Sequence, residues 1–129
     1  MYLKVNTIRD LVIEAAKLFK NKVYIHYQIE NEMYSETFKR LLLMCENYDV
    51  WINNEWENKI TNSDHRVHVG LTGISSFNYF VAYLGIMLSD HVTIPIDPNL
   101  NIDTLTYFIN HDDIDIIFYE TNFQFIIVF

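Results

Sequence analysis

The chain has 129 residues, and its 17 acidic side chains against 9 Lys and Arg give a formal net charge of −8. Half of the residues are hydrophobic and 16 % are aromatic, enough apolar material for one domain with a buried core, which excludes wholesale disorder. Acidity without any Lys/Arg cluster has the wrong sign for nucleic acid or anionic lipid, so neither is expected as a partner.

Thr7 followed by Asp10 has capping-box spacing, and Leu11, Val12, Ala15, Leu18 and Phe19 recur at helical intervals, predicting a helix over Ile8–Phe19. Val23, Ile25 and Tyr27 alternate with Tyr24, His26 and Gln28, and polar Glu30-Asn31-Glu32 precedes Met33-Tyr34, which predicts a short antiparallel hairpin. Ser35 is the expected N-cap of a long helix. Its buried face carries Phe38, Leu41, Leu42, Cys45, Tyr48, Ile52 and Trp56, and its solvated face carries Glu36, Lys39, Arg40 and Glu46.

From Arg66 the rhythm changes. Strands are expected over Val67–Leu71, His91–Ile96 and Ile114–Tyr119, with helices over Phe77–Leu88 and Ile102–Asn110 between them. Strands separated by helices imply right-handed crossovers. The strand runs are apolar on both parities, as strands covered on two sides are. The expected class is α/β: a mainly parallel sheet with helices on both faces, preceded by a helix and a short hairpin.

Three Gly, two Pro and no repeat or linker make residues 1–129 read as a single unit. Pro95 and Pro98 fix φ and remove amide donors, so the strand that starts at Val92 is expected to leave the sheet after Ile94, and Asn101 is a candidate N-cap. The apolar stretch Phe77–Leu88 is shorter than the about 20 residues a bilayer span requires, so no membrane span is expected. Cys45 is the single cysteine, and Met1–Val12 lacks a signal-peptide pattern, so a reducing, cytoplasmic address is expected. Phe123–Phe129 is apolar, uncharged and free of proline apart from one Gln, an aggregation hazard unless covered. It suggests the front piece of a longer protein or a truncated reading frame, and an uncovered terminal strand of this kind could pair two copies into a homo-oligomer.

Chemistry-bearing residues are few. His65 and His68, next to Asp64, have the spacing of two metal ligands on a helix, but in a strand positions three apart face opposite ways. His111, ahead of Asp112 and Asp113, reads as a helix C-terminal cap. Cys45 lies on an apolar stripe and reads as core, not as a nucleophile. Trp51, Trp56 and Tyr48 form an aromatic end to the long helix, as core or as a domain interface. Thr72-Gly73-Ile74-Ser75-Ser76 is the one polar Gly-containing loop between a strand and a helix; it lacks a Lys, and reads as a turn and N-cap before it reads as a phosphate cradle. No catalytic, cofactor-binding or metal-binding residue is assigned from the sequence.

Six segments in order resemble the N-terminal part of the adenylate-forming (AMP-binding) enzymes, the superfamily of acyl-CoA synthetases, peptide-synthetase adenylation domains and luciferases. They are Thr7-Ile8-Arg9-Asp10-Leu11, Lys22-Val23-Tyr24-Ile25, Met33-Tyr34-Ser35-Glu36-Thr37-Phe38, Arg66-Val67-His68-Val69-Gly70-Leu71, Ser75-Ser76-Phe77 through Ala82-Tyr83-Leu84-Gly85-Ile86, and Val92-Thr93-Ile94-Pro95-Ile96-Asp97-Pro98. The last two, similar to "N-S-x-E-x-x-x-A-x-L-G-x-L" and "V-x-V-P-L-D-P", are the specific ones. Ser89-Asp90-His91 departs from the small residues usual before the second of these, and Trp51–Asp64 departs from the usual helix-to-strand connection.

The resemblance, most like acyl-CoA synthetases, implies an incomplete N-terminal scaffold of an AMP-forming ligase. The whole enzyme would join a carboxylic acid substrate to ATP with Mg, then pass the acyl group to a thiol such as CoA, as in fatty acid metabolism. It implies no cofactor bound by this segment alone and, as partner, the remainder of its own polypeptide. The phosphate-gripping loop of such enzymes would lie outside residues 1–129. A different class stays open beside it: a free-standing flavodoxin-like or receiver-like α/β domain that binds a ligand or partner at its strand ends.

Overall fold

The computed structural model of the chain describes residues 4–121 and 124–128. Helix α1 spans Ile8–Phe19 behind the expected capping box, with Thr7 Oγ1 accepting from the Asp10 amide at 3.0 Å and the Asp10 carboxylate accepting from the Thr7 amide at 3.2 Å. Strands β1 (Val23–Ile29) and β2 (Glu32–Thr37) form an antiparallel hairpin that turns at Glu30 with φ 54°. Helix α2 covers Phe38–Glu55, and its N-cap is Thr37, not Ser35. Ser35 is still inside β2, opposite His26, where its hydroxyl meets His26 Nδ1 at 2.7 Å. Thr37 Oγ1 is therefore the group that accepts from the Arg40 amide, at 3.2 Å.

A short 3₁₀ turn at Glu57–Lys59 begins an irregular connection to β3 (His68–Thr72). Then follow α3 (Phe77–Leu88), β4 (Val92–Ile96), α4 (Ile102–His111), β5 (Ile116–Thr121) and β6 (Gln124–Val128). Three strands begin later than their apolar runs predict. The Val67 amide is taken by His91 Nδ1, the His91 amide by the Ile86 carbonyl near the end of α3, and the Ile114 amide by the Ile109 carbonyl at the end of α4. Helix α4 correspondingly runs one residue past Asn110.

Pro95 does not end β4, which keeps register with β3 through Leu71↔Pro95 and Thr72↔Ile96. Strand β4 is at the sheet edge, and there the missing N–H of Pro95 breaks no ladder bond. The expected terminal segment forms β6 over Gln124–Val128, antiparallel to β5, while Phe123 and Phe129 lie outside the described residues.

The main sheet has the order β4-β3-β5-β6, with β3 parallel to both β4 and β5, and the hairpin stands apart as its own two-stranded sheet. The chain steps from β3 out to β4 and then back across β3 to β5. Right-handed connections in opposite directions put α3 and α4 on opposite faces. Because β1 stays in the hairpin, the parallel part of the sheet starts with β3, which lies between the next two parallel strands, β4 and β5.

Burial is concentrated on the α3 side. Val69 and Leu71 of β3 and Ile116 and Phe118 of β5 are buried with Ala82, Ile86 and Ile52 in one cluster, against which Tyr48 and Trp51 pack. A second cluster, Leu41, Cys45, Val81 and Leu88, joins α2 to α3 and extends toward α1 and the hairpin through Val12 and Tyr24. Each fully buried Ile, Leu or Phe removes enough apolar surface to stabilise the fold by about 1.5–3 kcal/mol.

Helices α2 and α3 meet at Gly85, where a Cβ would lie 2.8 Å from Tyr48 Cδ2 and 2.9 Å from Tyr48 Cβ. Tyr48 Cβ is fixed to the α2 backbone and cannot swing aside. We expect Gly85→Ala to force the helices apart and lower stability by about 1–3 kcal/mol, read as a lower urea midpoint at unchanged slope. An unchanged midpoint would show that the contact is not tight.

Candidate functional site

A cleft of about 960 Å³ lies between the hairpin and the start of α3. Tyr27 of β1 stacks on Phe77 of α3 with ring centroids 4.2 Å apart and planes 6° from parallel, and on Tyr34 across the hairpin at 5.5 Å. Tyr24, on the same strand, is tilted against Phe38 and Phe80. The rim is the β3–α3 loop, whose Ile74 is 72 % exposed. Ser76 N-caps α3, its Oγ accepting from the Tyr79 amide at 3.1 Å. Glu30 is the one Asp, Glu, Lys, Arg or His among the lining residues, so the cleft presents no side-chain cation.

A polar knot sits at the other end of the sheet, where the strands begin. The Asp115 carboxylate, just ahead of β5, accepts four hydrogen bonds: Thr61 N at 3.0 Å and Thr61 Oγ1 at 2.7 Å on one oxygen, Asn62 Nδ2 at 2.8 Å and His68 N at 2.9 Å on the other. Asn62 also donates to the Arg66 carbonyl at 2.6 Å. His68 holds Asp64 Oδ2 through Nε2 and the Asp112 carbonyl through Nδ1, both at 2.9 Å. The hydrogen bonds from His68 and the Arg66 amide hold Asp64 down at about 2, well below the usual carboxylate value. For His68, burial lowers the pKa, but the bonds to Asp64 and Asp112 and the charges of Asp64 and Asp115 together outweigh it, and the ring is shifted upward.

The singled-out residues fall in several places. His65 is exposed at a loop tip with φ 59°, and its spacing to His68 makes no ligand pair; among the described residues no cluster of three or more His, Cys, Asp or Glu could hold a metal. His111 closes α4, stacked on Tyr107 with centroids 5.3 Å apart and bonded to the Asp112 carboxylate at 2.9 Å. Cys45 is fully buried, and burial, with a smaller contribution from Glu46, pushes its thiol up to about 12. Trp56 is buried, and Trp51 stands edge-on to Phe118 at 5.8 Å, so the aromatic end of α2 is core.

Asp97 Oδ1 accepts from the Asn99 amide at 2.9 Å, and Asn101 caps α4 as expected. The unusual Ser89-Asp90-His91 closes α3 in its own way. Ser89 Oγ reaches the carbonyls of Gly85 and Ile86 at 2.7 and 2.9 Å, and Arg9 donates to the Leu88 carbonyl at 2.6 Å. His91 Nδ1 accepts from the Val67 amide, so the proton sits on Nε2, which donates to Asn53 Oδ1 at 3.0 Å. The Asp115 knot was missed in the sequence. The signal for it is a charged residue set inside the apolar run Ile114–Phe118.

No helix of the described residues is long and apolar enough to cross a membrane. The sequence matches no protein-family model and no curated protein. Its fold does match solved structures. A fatty acid AMP ligase from Legionella pneumophila superposes with a TM-score of 0.77 at 16 % identity, over 94 % of this chain and 21 % of the ligase. The Klebsiella oxytoca NpsA N-terminal subdomain, in complex with 3-hydroxyanthranilyl-AMSN, superposes with a TM-score of 0.70 at 14 % identity, over 91 % of this chain and 28 % of its own. The chain thus shares its fold with part of the Legionella ligase and with the Klebsiella subdomain, and it spans about a fifth of the length of the Legionella enzyme.

Two outcomes follow from these surroundings. Asp115→Ala strands three backbone and side-chain donors together with a hydroxyl and is expected to cost about 2–3 kcal/mol, measured by urea unfolding; a loss within error of zero would mean water replaces the carboxylate fully. The Cys45 thiol should stay unmodified by a thiol-exchange dye at about pH 8 until the chain is unfolded, and fast labelling of the native protein would place the thiol outside the core.

Proposed function

We propose that the chain is scaffold in the N-terminal part of an AMP-forming acid–thiol ligase. In such a ligase a carboxylate oxygen attacks the α-phosphorus of Mg-bound ATP, pyrophosphate leaves, and a thiol then attacks the acyl carbon and expels AMP. The observation that carries the reading is the superposition over 94 % of this chain on a fatty acid AMP ligase. An acyl-CoA synthetase-like course, with CoA as the thiol, is the finer part of the proposal and rests on the quoted segments, Ser75–Ile86 and Val92–Pro98.

The role within that reaction is mechanical. Strands β3, β4 and β5 supply a rigid sheet, and α2 and α3 fill its covered face, so that groups from the remainder of the polypeptide have a fixed surface to pack on. The buried thiol fits a reducing, cytoplasmic setting. The cleft offers no cation for a triphosphate, and the β3–α3 loop spends Ser76 on capping. On this reading the chain alone is not a catalyst.

The experiment is ATP–pyrophosphate exchange with the isolated chain in the presence of Mg and a panel of fatty and aryl acids. Near-ultraviolet circular dichroism from Trp51 and Trp56 is recorded in parallel to establish that the sample is folded. A folded sample without exchange above background is expected. Acid-dependent exchange would refute the scaffold role and give this chain an active site of its own.

A further inference from the structure

The connection from α2 to β3 is long and has little regular structure beyond its 3₁₀ turn, and polar groups hold it to the sheet at two ends. Thr61 and Asn62 are tied to the Asp115 carboxylate. Near β3, Asp64 is tied to the His68 ring, and the other nitrogen of that ring is tied to the Asp112 carbonyl behind α4. Just past Asp64, in the short loop that leads to His68, His65 sits in the left-handed region at φ 59°, which is uncommon for a residue with a side chain.

We propose that His68 is a proton-dependent clamp: its doubly protonated ring joins the Asp64 end of this connection to the turn ahead of β5, and loss of one proton frees that end while the Asp115 end stays bound. Both ring nitrogens face groups that only accept, a carboxylate and a backbone carbonyl. The imidazolium satisfies both, whereas a neutral ring has one N–H and must present a lone pair to the second acceptor. The ionic surroundings favour the same state. Asp64 faces the ring from the connection and is shared with Arg66 at 3.2 Å; Asp115 faces it from ahead of β5; the Asp112 carboxylate beyond the carbonyl is engaged by His111. The ring side chain is only 15 % exposed, so solvent replaces a lost contact poorly.

The direction of the pH effect follows. A ring held above its ordinary 6.5 contributes in full below that value and loses its contribution as pH rises through the folded-state value. Asp64, held at about 2, contributes above its ordinary 3.8 and fails only as pH falls toward 2. The clamp is thus closed between the two ordinary values and opens on the alkaline side.

The test is amide hydrogen exchange of the intact chain by NMR, expressed as protection factors corrected for the intrinsic rate, at about pH 5.5 and about pH 8. The Arg66 amide donates to Asp64 Oδ1 at 3.1 Å and reports the clamp; the Thr61 amide donates to Asp115 and serves as the internal control. Protection of Arg66 is expected to fall severalfold between the two conditions while Thr61 keeps its own. In His68→Gln, whose amide does not titrate, the Arg66 value should be the same at both. A second variant, Asp64→Asn, should lower the titration midpoint of the His68 ring followed by its nitrogen shifts. Equal Arg66 protection at both pH values in the unaltered chain, the same fall in His68→Gln, or an unmoved midpoint in Asp64→Asn would each overturn the proposal.

Discussion

The structure depends on the close approach of α2 and α3 over one face of the parallel sheet. Gly85 lets the α3 backbone settle on the Tyr48 ring, and only at that distance do Ala82 and Ile86 reach the layer formed by Val69, Leu71, Ile116 and Phe118. Burial raises the Tyr48 phenol to about 12, with a smaller push from Cys45. The hairpin and α1 then attach to this pair of helices through aromatic rings, Phe19 and Tyr24 on Phe38 and Tyr27 on Phe77. The opposite face is held more lightly, since no residue of α4 is fully buried.

Much of the fold is legible in the sequence because its cues are local. The capping box at Thr7 and Asp10 fixes the start of α1, and the apolar run Phe77–Leu88 gives both ends of α3. The departures come from partners distant in sequence. Val67 reads as strand, yet its amide goes to His91; Ile114 reads as strand, yet its amide closes α4. Ser35 has the chemistry of an N-cap but is still paired across the hairpin, so Thr37 takes the role. Pro95 is a strand terminator only in a strand flanked on both sides, and β4 has a neighbour on one side alone.

The polar sites are less legible. The Asp64/His65/His68 grouping is visible as a pattern, but whether it binds a metal or a backbone depends on where Asp112 and Asp115 arrive, and these lie on the far side of two crossover helices. The knot around Asp115 holds a connection of unusual sequence, Trp51–Asp64, that lacks the hydrophobic periodicity from which packing is read. The aromatic end of α2 is core for a similar reason: Phe118, which Trp51 and Tyr48 both meet, belongs to a strand that enters the sheet last but one. Gly85 was visible within a motif, although its physical role, contact with Tyr48, appears only when the helices are packed.

The cleft presents no side-chain cation, the thiol is sealed, and the histidines cap, brace or face solvent. The proposal that a ligase active site is completed by other parts of a polypeptide is tested most directly by calorimetric titration of the folded chain with a non-hydrolysable acyl-adenylate analogue. The account predicts no saturable heat up to about millimolar ligand, the weak end of the affinity scale. Saturable binding near micromolar strength would contradict it, because the nucleotide site would then lie within these residues.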